Sequence, residues 1–398
     1  MVSSLFDDED ENLDAEMDAA ASMADEAAGG SAEAEELTPR SNPDCTGHED
    51  VEKALLADFN AGRMPHAIIF AGPPGIGKAT LAYRLARFLL SQGTEGANAG
   101  LFGDAAPPES LYVAPEHPVF RRVLSGGHAD LLTVEREFDE KRGRLKNDIS
   151  VETVRRIHPF LRKTAAEGGW RVVIVDSAEY LNQSSQNALL KILEEPPKKT
   201  VLILTTAQPG GFLPTIRSRC RMMPLSPLGD MQMSQLLDRM APGLAPAQKA
   251  MLTKLAEGSI GRALQFHADD GIALYQDLLK AASTLPELDM LLVHDLAEKF
   301  GKFGAERSFD TACGIMTGWC ARLARLQARG EPILDVLPGD AEVFQRLAGL
   351  YPPQHFIDTW EKLSRFFAQV DSYNLDKRQA IIASFQMFQN PNHPGLAL

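Results

Sequence analysis

The stretch GPPGIGKAT, which begins at Gly72, has the residue types and the spacing that can cradle a phosphate group. A phosphate-binding loop has Gly, four residues, Gly, Lys and then Ser or Thr. Gly72, Gly77 and Lys78 fit this pattern, and Gly75 gives the backbone further freedom. Ala79 stands where a hydroxyl is expected. The stretch predicts phosphate binding and leaves open whether hydrolysis, passive binding or neither follows.

The elements on either side of this stretch are those that a phosphate loop requires. Residues 48–63 and 78–93 have apolar residues at helical spacing, whereas residues 64–72 form a short apolar run that suits a buried strand. A loop between a strand and a helix points its N–H groups at an anion, and the helix N-terminus adds partial positive charge. Lys78 would reach the outer phosphates. The order of strand, loop, lysine and helix therefore predicts a phosphate-loop fold.

A second candidate residue, Asp176, ends a run of four β-branched residues that indicates a buried parallel strand. In phosphate-loop enzymes an Asp at this place helps to hold Mg²⁺. An ATPase of this kind usually has Glu next, which polarises the attacking water, but this chain has Ser177. Glu179 lies two positions further on and is not an obvious substitute.

The remaining pattern predicts a three-layer α/β sandwich with a mostly parallel sheet, followed by helices. A helix is predicted over 150–168, with Ser150 as its cap. A buried strand is predicted over 201–204, with Thr205 and Thr206 at its tip. The predicted domains are a disordered acidic tail (1–40), a nucleotide-binding-like core (41–225), a helical lid (226–270) and an all-α domain (271–398).

The net charge of −14 comes almost wholly from one end of the chain. Residues 1–37 contain 13 Asp and Glu and no Lys or Arg, and the other residues carry 41 acidic and 40 basic side chains. Such an acidic segment, poor in aromatic residues, is predicted to be disordered. It would serve as a solubilising tail, or else mimic nucleic acid or occupy a basic surface. The balanced remainder neither supports nor excludes nucleic-acid binding.

The composition argues against several classes of protein. The chain is 44% hydrophobic and 24% charged, as soluble globular proteins are. No apolar run reaches the roughly 18 residues of a membrane span. No secretion signal is visible, so a cytoplasmic protein without a membrane partner is expected. The four cysteines form no C-x-x-C pair, so neither a zinc site nor a disulfide framework is indicated.

Four motifs in the order GPPGIGKATLA, VVIVDSAEYL, NALLKILEEPP and TIRSRCR resemble those of the AAA+ subunits of the bacterial DNA polymerase III clamp loader, most nearly its delta-prime family. The resemblance runs from about residue 44 to the C-terminus. It includes NLDKRQAIIASF (374–385), which is similar to the last helix of the family's collar domain. The acidic tail lies outside it. The resemblance implies an AAA+ sandwich, a small lid and a collar that buries apolar stripes against neighbouring subunits.

The resemblance also implies roles for single residues in nucleotide binding. The loop glycines and Lys78 match the family's phosphate loop, and Asp176 matches its second nucleotide motif. Thr205 or Thr206 lies where the first sensor residue is expected. Arg262, in GSIGRAL, lies where the second sensor arginine is expected.

Arg219, in TIRSRCR, matches the arginine finger of the family. In this family the finger reaches across the subunit boundary to the ATP of a neighbour. A planar guanidinium supplied from outside neutralises the charge that spreads over the γ-phosphate oxygens in the transition state. The resemblance therefore implies that this chain makes its catalytic contribution in trans.

Two departures from the family argue against hydrolysis in this chain. Ala79 removes the hydroxyl ligand of Mg²⁺, and Thr80, the next hydroxyl, is displaced by about 100° around the helix. Ser177 removes the carboxylate that activates water. Binding of ATP or ADP without hydrolysis stays open. Zinc, which many relatives bind through four cysteines after the loop helix, is not expected because residues 94–130 contain no cysteine.

The leading hypothesis is a clamp-loader subunit without ATP hydrolysis of its own, within the DNA polymerase III (nucleotidyltransferase) holoenzyme. The resemblance implies a hetero-oligomer with the gamma/tau ATPase subunits and the delta subunit. The sliding clamp and primed DNA would be reached through that assembly. The alternatives are an autonomous AAA+ ATPase of another class and a purely structural AAA+ scaffold. ATP turnover by the isolated chain would separate the first two hypotheses.

Overall fold

The computed structural model describes residues 37–95, 107–139, 144–167, 169–301, 306–330 and 335–391. The disordered tail predicted for residues 1–40 lies almost entirely outside these ranges. Residues 39–398 cluster into a single unit. No helix within the described ranges has the length and the apolar character needed to cross a membrane.

A parallel sheet forms the centre of the first half of the chain. Its five strands are β1 (Ala67–Ala71), β2 (Leu131–Val134), β5 (Arg171–Val175), β6 (Thr200–Thr206) and β7 (Arg221–Pro224), and an antiparallel hairpin of β3 (Phe138–Asp139) and β4 (Arg144–Leu145) follows β2. The strand order is β2-β5-β6-β1-β7. All neighbours in the sheet are parallel, so the carboxyl ends meet at one edge, where open α/β sheets bind ligands. The register places Ala71, just before the phosphate loop, beside Thr206.

Helices cover both faces of the sheet and form the predicted three-layer sandwich. One face carries α1 (Glu49–Asn60), α2 (Lys78–Glu95) and α3 (Pro118–Leu124), and the other carries α4 (Val151–Arg155), α5 (Ile157–Arg162), α6 (Gln183–Glu194) and α7 (Pro214–Arg217). Because side chains alternate along a strand, Ile68 and Phe70 pack on the first face, whereas Ala67 and Ile69 pack on the second. The sandwich therefore holds its strand tips rigidly in place.

The helix predicted over 150–168 is divided into two short helices at Arg156. Its cap is as predicted, since the Thr153 N–H donates to the Ser150 hydroxyl at 3.2 Å. Pro159 accounts for the interruption, because proline has no N–H and its ring clashes with the carbonyl four residues earlier. The prediction of one continuous helix is wrong in this respect.

Beyond β7 the described elements are helices. Those of the lid are α8 (Asp230–Met240), α9 (Pro246–Ala256) and α10 (Ile260–Ala268), and those of the collar are α11 (Gly271–Ala282), α12 (Met290–Glu298), α13 (Glu306–Arg329), α14 (Asp340–Leu350), α15 (Pro353–Tyr373) and α16 (Lys377–Gln389). One apolar cluster runs through lid and collar. Within the collar, the hydroxyl of Tyr275 donates to the buried carboxylate of Asp340 at 2.6 Å. Because the two groups of helices share this cluster, the predicted boundary between 270 and 271 stays a prediction.

Candidate functional site

The phosphate loop connects β1 to α2, and its glycines adopt conformations or occupy spaces that exclude side chains. Gly75 has a φ of +73° and Gly77 a φ of +103°. A Cβ on Gly72 would lie 2.5 Å from the carbonyl oxygen of Leu225. The amide groups of residues 75–78 have no acceptor among the described residues. Consecutive unpaired amides at the N-terminus of a helix form a cradle for an anion.

Lys78 begins α2, and its ammonium group turns back onto the loop. Nζ donates to the carbonyl oxygens of Gly72 at 2.8 Å and Pro73 at 2.7 Å. Burial lowers the pKa of Lys78, and the negative charges of Glu179 and Asp176 act in the opposite direction. The acceptors that hold Nζ are neutral. A phosphate oxygen would be a stronger acceptor because charge-assisted hydrogen bonds are about twice as strong.

The lid packs directly on the phosphate loop. Ser259 Oγ donates to the carbonyl oxygen of Pro74 at 2.8 Å, and the Gly261 N–H donates to that of Gly75 at 2.9 Å. A Cβ on Gly75 would lie 2.4 Å from Ser259 Oγ, and one on Gly261 would lie 2.9 Å from the Cα of Gly75. At the N-terminus of α10, Gly261 therefore contacts Gly75 of the phosphate loop directly, with no side chain between the two backbones.

His48, just before α1, contacts the end of the phosphate loop. Its Nε2 lies 2.8 Å from the carbonyl oxygen of Ile76. Its ring lies 3.6 Å from the place that a Cβ on Gly77 would take. The side chain is buried, and this burial lowers the pKa of His48. Because a carbonyl oxygen can only accept, the Nε2–H of His48 donates to the loop.

Asp176 lies at the carboxyl end of β5, beside the tip of β6. Thr205 Oγ1 donates to Asp176 Oδ1 at 2.5 Å. The Ser177 N–H points at both groups, 2.8 Å from Thr205 Oγ1 and 3.0 Å from Asp176 Oδ1. Ser177 itself has a φ of +53°, in the left-handed region. One carboxylate oxygen of Asp176 is thus engaged within the protein.

Of the two threonines that the sequence left open, Thr205 is the one that contacts Asp176. Thr206 is fully buried, and its hydroxyl accepts a hydrogen bond from the Gln208 N–H at 3.0 Å. This bond stabilises the turn after β6. The sensor role of either threonine stays a prediction, and the geometry favours Thr205.

The Arg262 side chain lies in a cavity of about 270 Å³ between lid and collar. Its guanidinium carbon is 5.4 Å from the centre of the Phe266 ring, and Nη2 is 3.9 Å from the place of a Cβ on Gly318. Gly261, one residue earlier and about 100° around α10, is the residue that meets the phosphate loop. The structure brings Arg262 together with collar residues, and its role as second sensor stays a prediction.

Arg219 lies at the surface, just after α7. Its Nη1 donates to the carbonyl oxygen of Thr215 at 3.1 Å, and its Nη2 lies 3.1 Å from Oε1 of Glu194. The next residue, Cys220, is buried in the apolar layer under the sheet. The guanidinium is therefore exposed on a turn that the core anchors.

The residues present suit the phosphate groups of a nucleotide better than a hydrolytic metal centre. The amides of 75–78 and Lys78 supply donors for phosphate oxygens. The Ala79 side chain has no oxygen that could bind Mg²⁺, and the Ser177 side chain has no carboxylate that could activate a water molecule. Within the described ranges, no group of three or more His, Cys, Asp or Glu side chains could hold a metal ion.

A basic groove of about 770 Å³ lies between α6 and the pair α4 and α5. Arg155, His158 and Lys191 line it, with Ser184 and Asn187 among its polar residues. In the part of the chain that the structure describes, the Arg155 and Lys191 side chains have no anionic partner. Neighbouring unpaired cations suit a polyanion such as a nucleic-acid backbone.

Three residues of the site were missed or set aside by the sequence reasoning. Glu179 was set aside, yet its Oε2 accepts from the Ala207 N–H at 3.3 Å and its charge acts most strongly on Lys78. Gly261 could have been found, because a serine cap at position 259 fixes the first turn of α10. His48 carries no local signal, since its contact with the loop joins residues far apart in the chain.

Comparison with known proteins identifies relatives of this chain. Residues 47–229 match the family model described as DNA polymerase III, delta subunit. The chain is 34% identical over 244 residues to DNA polymerase III subunit delta' of Escherichia coli (strain K12), across 60% of this chain and 66% of the relative. It is 40% identical over 155 residues to the subunit delta' of Pseudomonas aeruginosa, across 39% and 41% of the two chains.

A third relative carries a different subunit name. The chain is 34% identical over 201 residues to DNA polymerase III subunit gamma/tau of Mycobacterium tuberculosis (strain H37Rv), across 50% of this chain and 31% of the relative. The aligned part spans less than two thirds of the length of each of these three relatives. With its family-model match, its phosphate loop and its parallel sheet, this chain belongs to the DNA polymerase III delta-prime family.

Proposed function

We propose that this chain is a clamp-loader subunit in DNA replication that helps to place a sliding clamp on primed DNA and does not hydrolyse ATP itself. Membership of the family supports the general role. The absence of hydrolysis in this chain is inferred from a complete phosphate cradle beside two positions where the groups needed for hydrolysis are missing. Ala79 replaces the hydroxyl that would bind the metal, and Ser177 replaces the carboxylate that would activate water.

Arg219 is the residue through which the chain would act on ATP. Its guanidinium is at the surface, and it is always charged. It would enter the nucleotide site of a neighbouring subunit and neutralise the charge that develops on the γ-phosphate. The chain thereby completes another subunit's active site.

The proposed partners are ATPase subunits of the gamma/tau type and a delta subunit in a hetero-oligomer. The sliding clamp and primed DNA would be engaged through this assembly. Exposed apolar side chains on α15 support a collar interface: Trp360 is 44% exposed and Ile357 is 42% exposed. Aromatic residues of this kind are enriched among the residues that dominate binding energy at interfaces.

The phosphate loop would bind ATP or ADP as a ligand that is not consumed. The amides of 75–78 and Lys78 would hold the phosphates. Because Gly261 contacts Gly75 directly, the occupied loop would also fix the position of the lid.

The basic groove is the surface that we assign to DNA. Its cations, Arg155 and Lys191, have no acidic partner in the described part of the chain, and the body of the chain is otherwise electrically balanced. Contacts of this kind position a nucleic-acid backbone without reading its sequence.

ATP turnover tests the proposed function. The isolated chain should show no turnover above background. In the reconstituted assembly, Arg219→Ala should leave complex formation intact and slow the site that it serves by about 10³-fold or more. Arg217→Ala removes an equal charge two residues away and serves as the control.

Two results would contradict the proposal. Substantial turnover by the isolated chain that Lys78→Ala abolishes would instead identify an autonomous ATPase. Unchanged turnover of the assembly after Arg219→Ala would remove the finger assignment.

A further inference from the structure

Glu194, the last residue of α6, forms an ion pair with Arg219. The distance between Glu194 Oε1 and Arg219 Nη2 is 3.1 Å. At the other end of the guanidinium, Nη1 donates to the carbonyl oxygen of Thr215 at 3.1 Å. Two acceptors from separate segments therefore hold the two ends of one planar group.

The position of Glu194 is unfavourable for a helix considered alone. The C-terminus of a helix carries partial negative charge and favours cations over carboxylates. Glu195 follows and is also exposed, yet its side chain has no partner within the described ranges. Of these two adjacent acids, Glu194 is the one that meets a cation.

We propose that Glu194 is the positioning residue of the arginine finger: its carboxylate, together with the Thr215 carbonyl, sets the plane of the Arg219 guanidinium before a neighbouring subunit docks. This inference rests on the proposed function of Arg219. A guanidinium has five N–H groups: the two of Nη1 face the Thr215 carbonyl and, at 3.5 Å, Ser218 Oγ, and one of Nη2 faces Glu194. The Nε–H and the other N–H of Nη2 therefore stay available for phosphate oxygens. Holding a long side chain in place beforehand lowers the cost of ordering it at the interface.

The experiment uses full-length variants of this chain in the reconstituted assembly with its ATPase subunits. Glu194→Gln keeps the shape of the side chain and removes its charge. Glu195→Gln removes the same charge from the next position and is the matched control. We expect Glu194→Gln to lower kcat for ATP about fivefold, with KM for ATP within about twofold, since exposed ion pairs contribute up to about 1 kcal/mol. Glu195→Gln should leave both constants unchanged.

A double-variant comparison distinguishes positioning from a general effect on the fold. In the Arg219→Ala background, Glu194→Gln should cause no further loss, because residues that act together are not additive. The thermal unfolding temperature should be the same for Glu194→Gln, Glu195→Gln, Arg219→Ala and the double variant, since the carboxylates of Glu194 and Glu195 are exposed.

Three results would overturn the inference while leaving the finger assignment intact. They are unchanged or raised turnover with Glu194→Gln, an equal loss with Glu195→Gln, and a further fivefold loss in the Arg219→Ala background. If Arg219→Ala alone leaves turnover unchanged, the finger assignment fails first, and the positioning role of Glu194 fails with it.

Discussion

Gly75 lies where the phosphate loop meets the lid, and both its backbone and its surroundings exclude a side chain. Its φ is +73°, and a Cβ would lie 2.4 Å from Ser259 Oγ. Gly62 has a similar φ of +65°, but nothing lies within 4 Å of the place of its Cβ. Gly62→Ala should therefore lower the free energy of unfolding by about 1 kcal/mol through backbone strain alone. Gly75→Ala should lower it by about 3 kcal/mol, because the lid must also move.

Chemical denaturation of the two variants measures this difference. The two losses should differ by the cost of displacing the lid. Equal losses would show that the contact between loop and lid does not stabilise the protein.

Burial lowers the pKa of three histidines, His48, His128 and His355, from the ordinary value of 6.5. The unfolded chain then binds more protons than the folded chain in acid, so the free energy of unfolding falls as the pH drops below 6.5. His48→Gln should make this loss smaller, since the amide can still donate to the Ile76 carbonyl but does not titrate. Denaturation at pH 5 and at pH 7 measures the change.

The exposed His267 provides the control for this experiment. His267→Gln should leave the pH dependence almost as it is in the original chain. An unchanged dependence in His48→Gln would mean that the buried ring is not a source of the acid sensitivity.

At the scale of elements, the sequence was sufficient for strands and helices with a strong periodic pattern, such as β1, β5 and α2. Their apolar runs are local, and local pattern decides them. The contact between Asp176 and Thr205 was not predictable to the residue, because it depends on the pairing of β5 with β6, which are separated by a helix. The break at Arg156 could have been predicted from Pro159. The direction in which the Arg262 side chain points could not be predicted from the sequence, because it depends on the packing of α10 against the collar.

The basic groove between helices gives a prediction for DNA binding. Arg155→Ala and Lys191→Ala should each weaken binding of the assembly to primed DNA, whatever the base sequence. Each should also reduce the slope of log K against log salt by about 1, because each cation releases about one counterion from the duplex. Titrations at several salt concentrations measure the slope.

Lys280 is an exposed lysine of the collar and provides the matched control. Lys280→Ala should keep both the affinity for DNA and its salt dependence. If Arg155→Ala and Lys191→Ala behave like Lys280→Ala, another surface meets the DNA.

Helix α15 gives a prediction for assembly. Trp360→Ala should weaken the binding of this chain to its partner subunits by about tenfold or more, because truncation of a buried interface tryptophan commonly costs at least about 2 kcal/mol. Leu124 is also partly exposed, but it lies on α3 of the sandwich. The Leu124→Ala variant should bind the partner subunits with the same affinity as the original chain. Equilibrium sedimentation or titration calorimetry measures both, and equal affinities would move the interface away from α15.

At the scale of the whole molecule, charge is divided very unevenly along the chain. Residues 1–37 carry 13 acidic and no basic side chains, whereas the other residues are nearly balanced. Removal of residues 1–36 should leave the thermal unfolding temperature unchanged. It should strengthen the binding of the assembly to primed DNA at low salt, because the removed acidic side chains repel the phosphates of DNA. The gain should disappear at about 1 M salt, where charges are screened within about 3 Å.

A full-length chain in which the same 13 acids are changed to Asn and Gln separates charge from length. It should match the shortened chain in DNA affinity. If it instead matches the original chain, the effect comes from the presence of the segment and not from its charge.

The left-handed backbone of Ser177 bears on what a glutamate engineered at this position could do. Two substitutions would introduce the residue types that the family's motifs expect: Ala79→Thr would supply the hydroxyl, and Ser177→Glu would supply the carboxylate. At a φ of +53°, however, the Cβ of residue 177 leaves the backbone in a different direction from that of an extended residue, and a glutamate side chain built on it would start in that same direction. The two hydrogen bonds of the Ser177 amide hold the turn in this shape. The path of the main chain, and not only the residue type at position 177, therefore decides where a carboxylate there would point, and an engineer would have to rebuild the turn to direct it elsewhere.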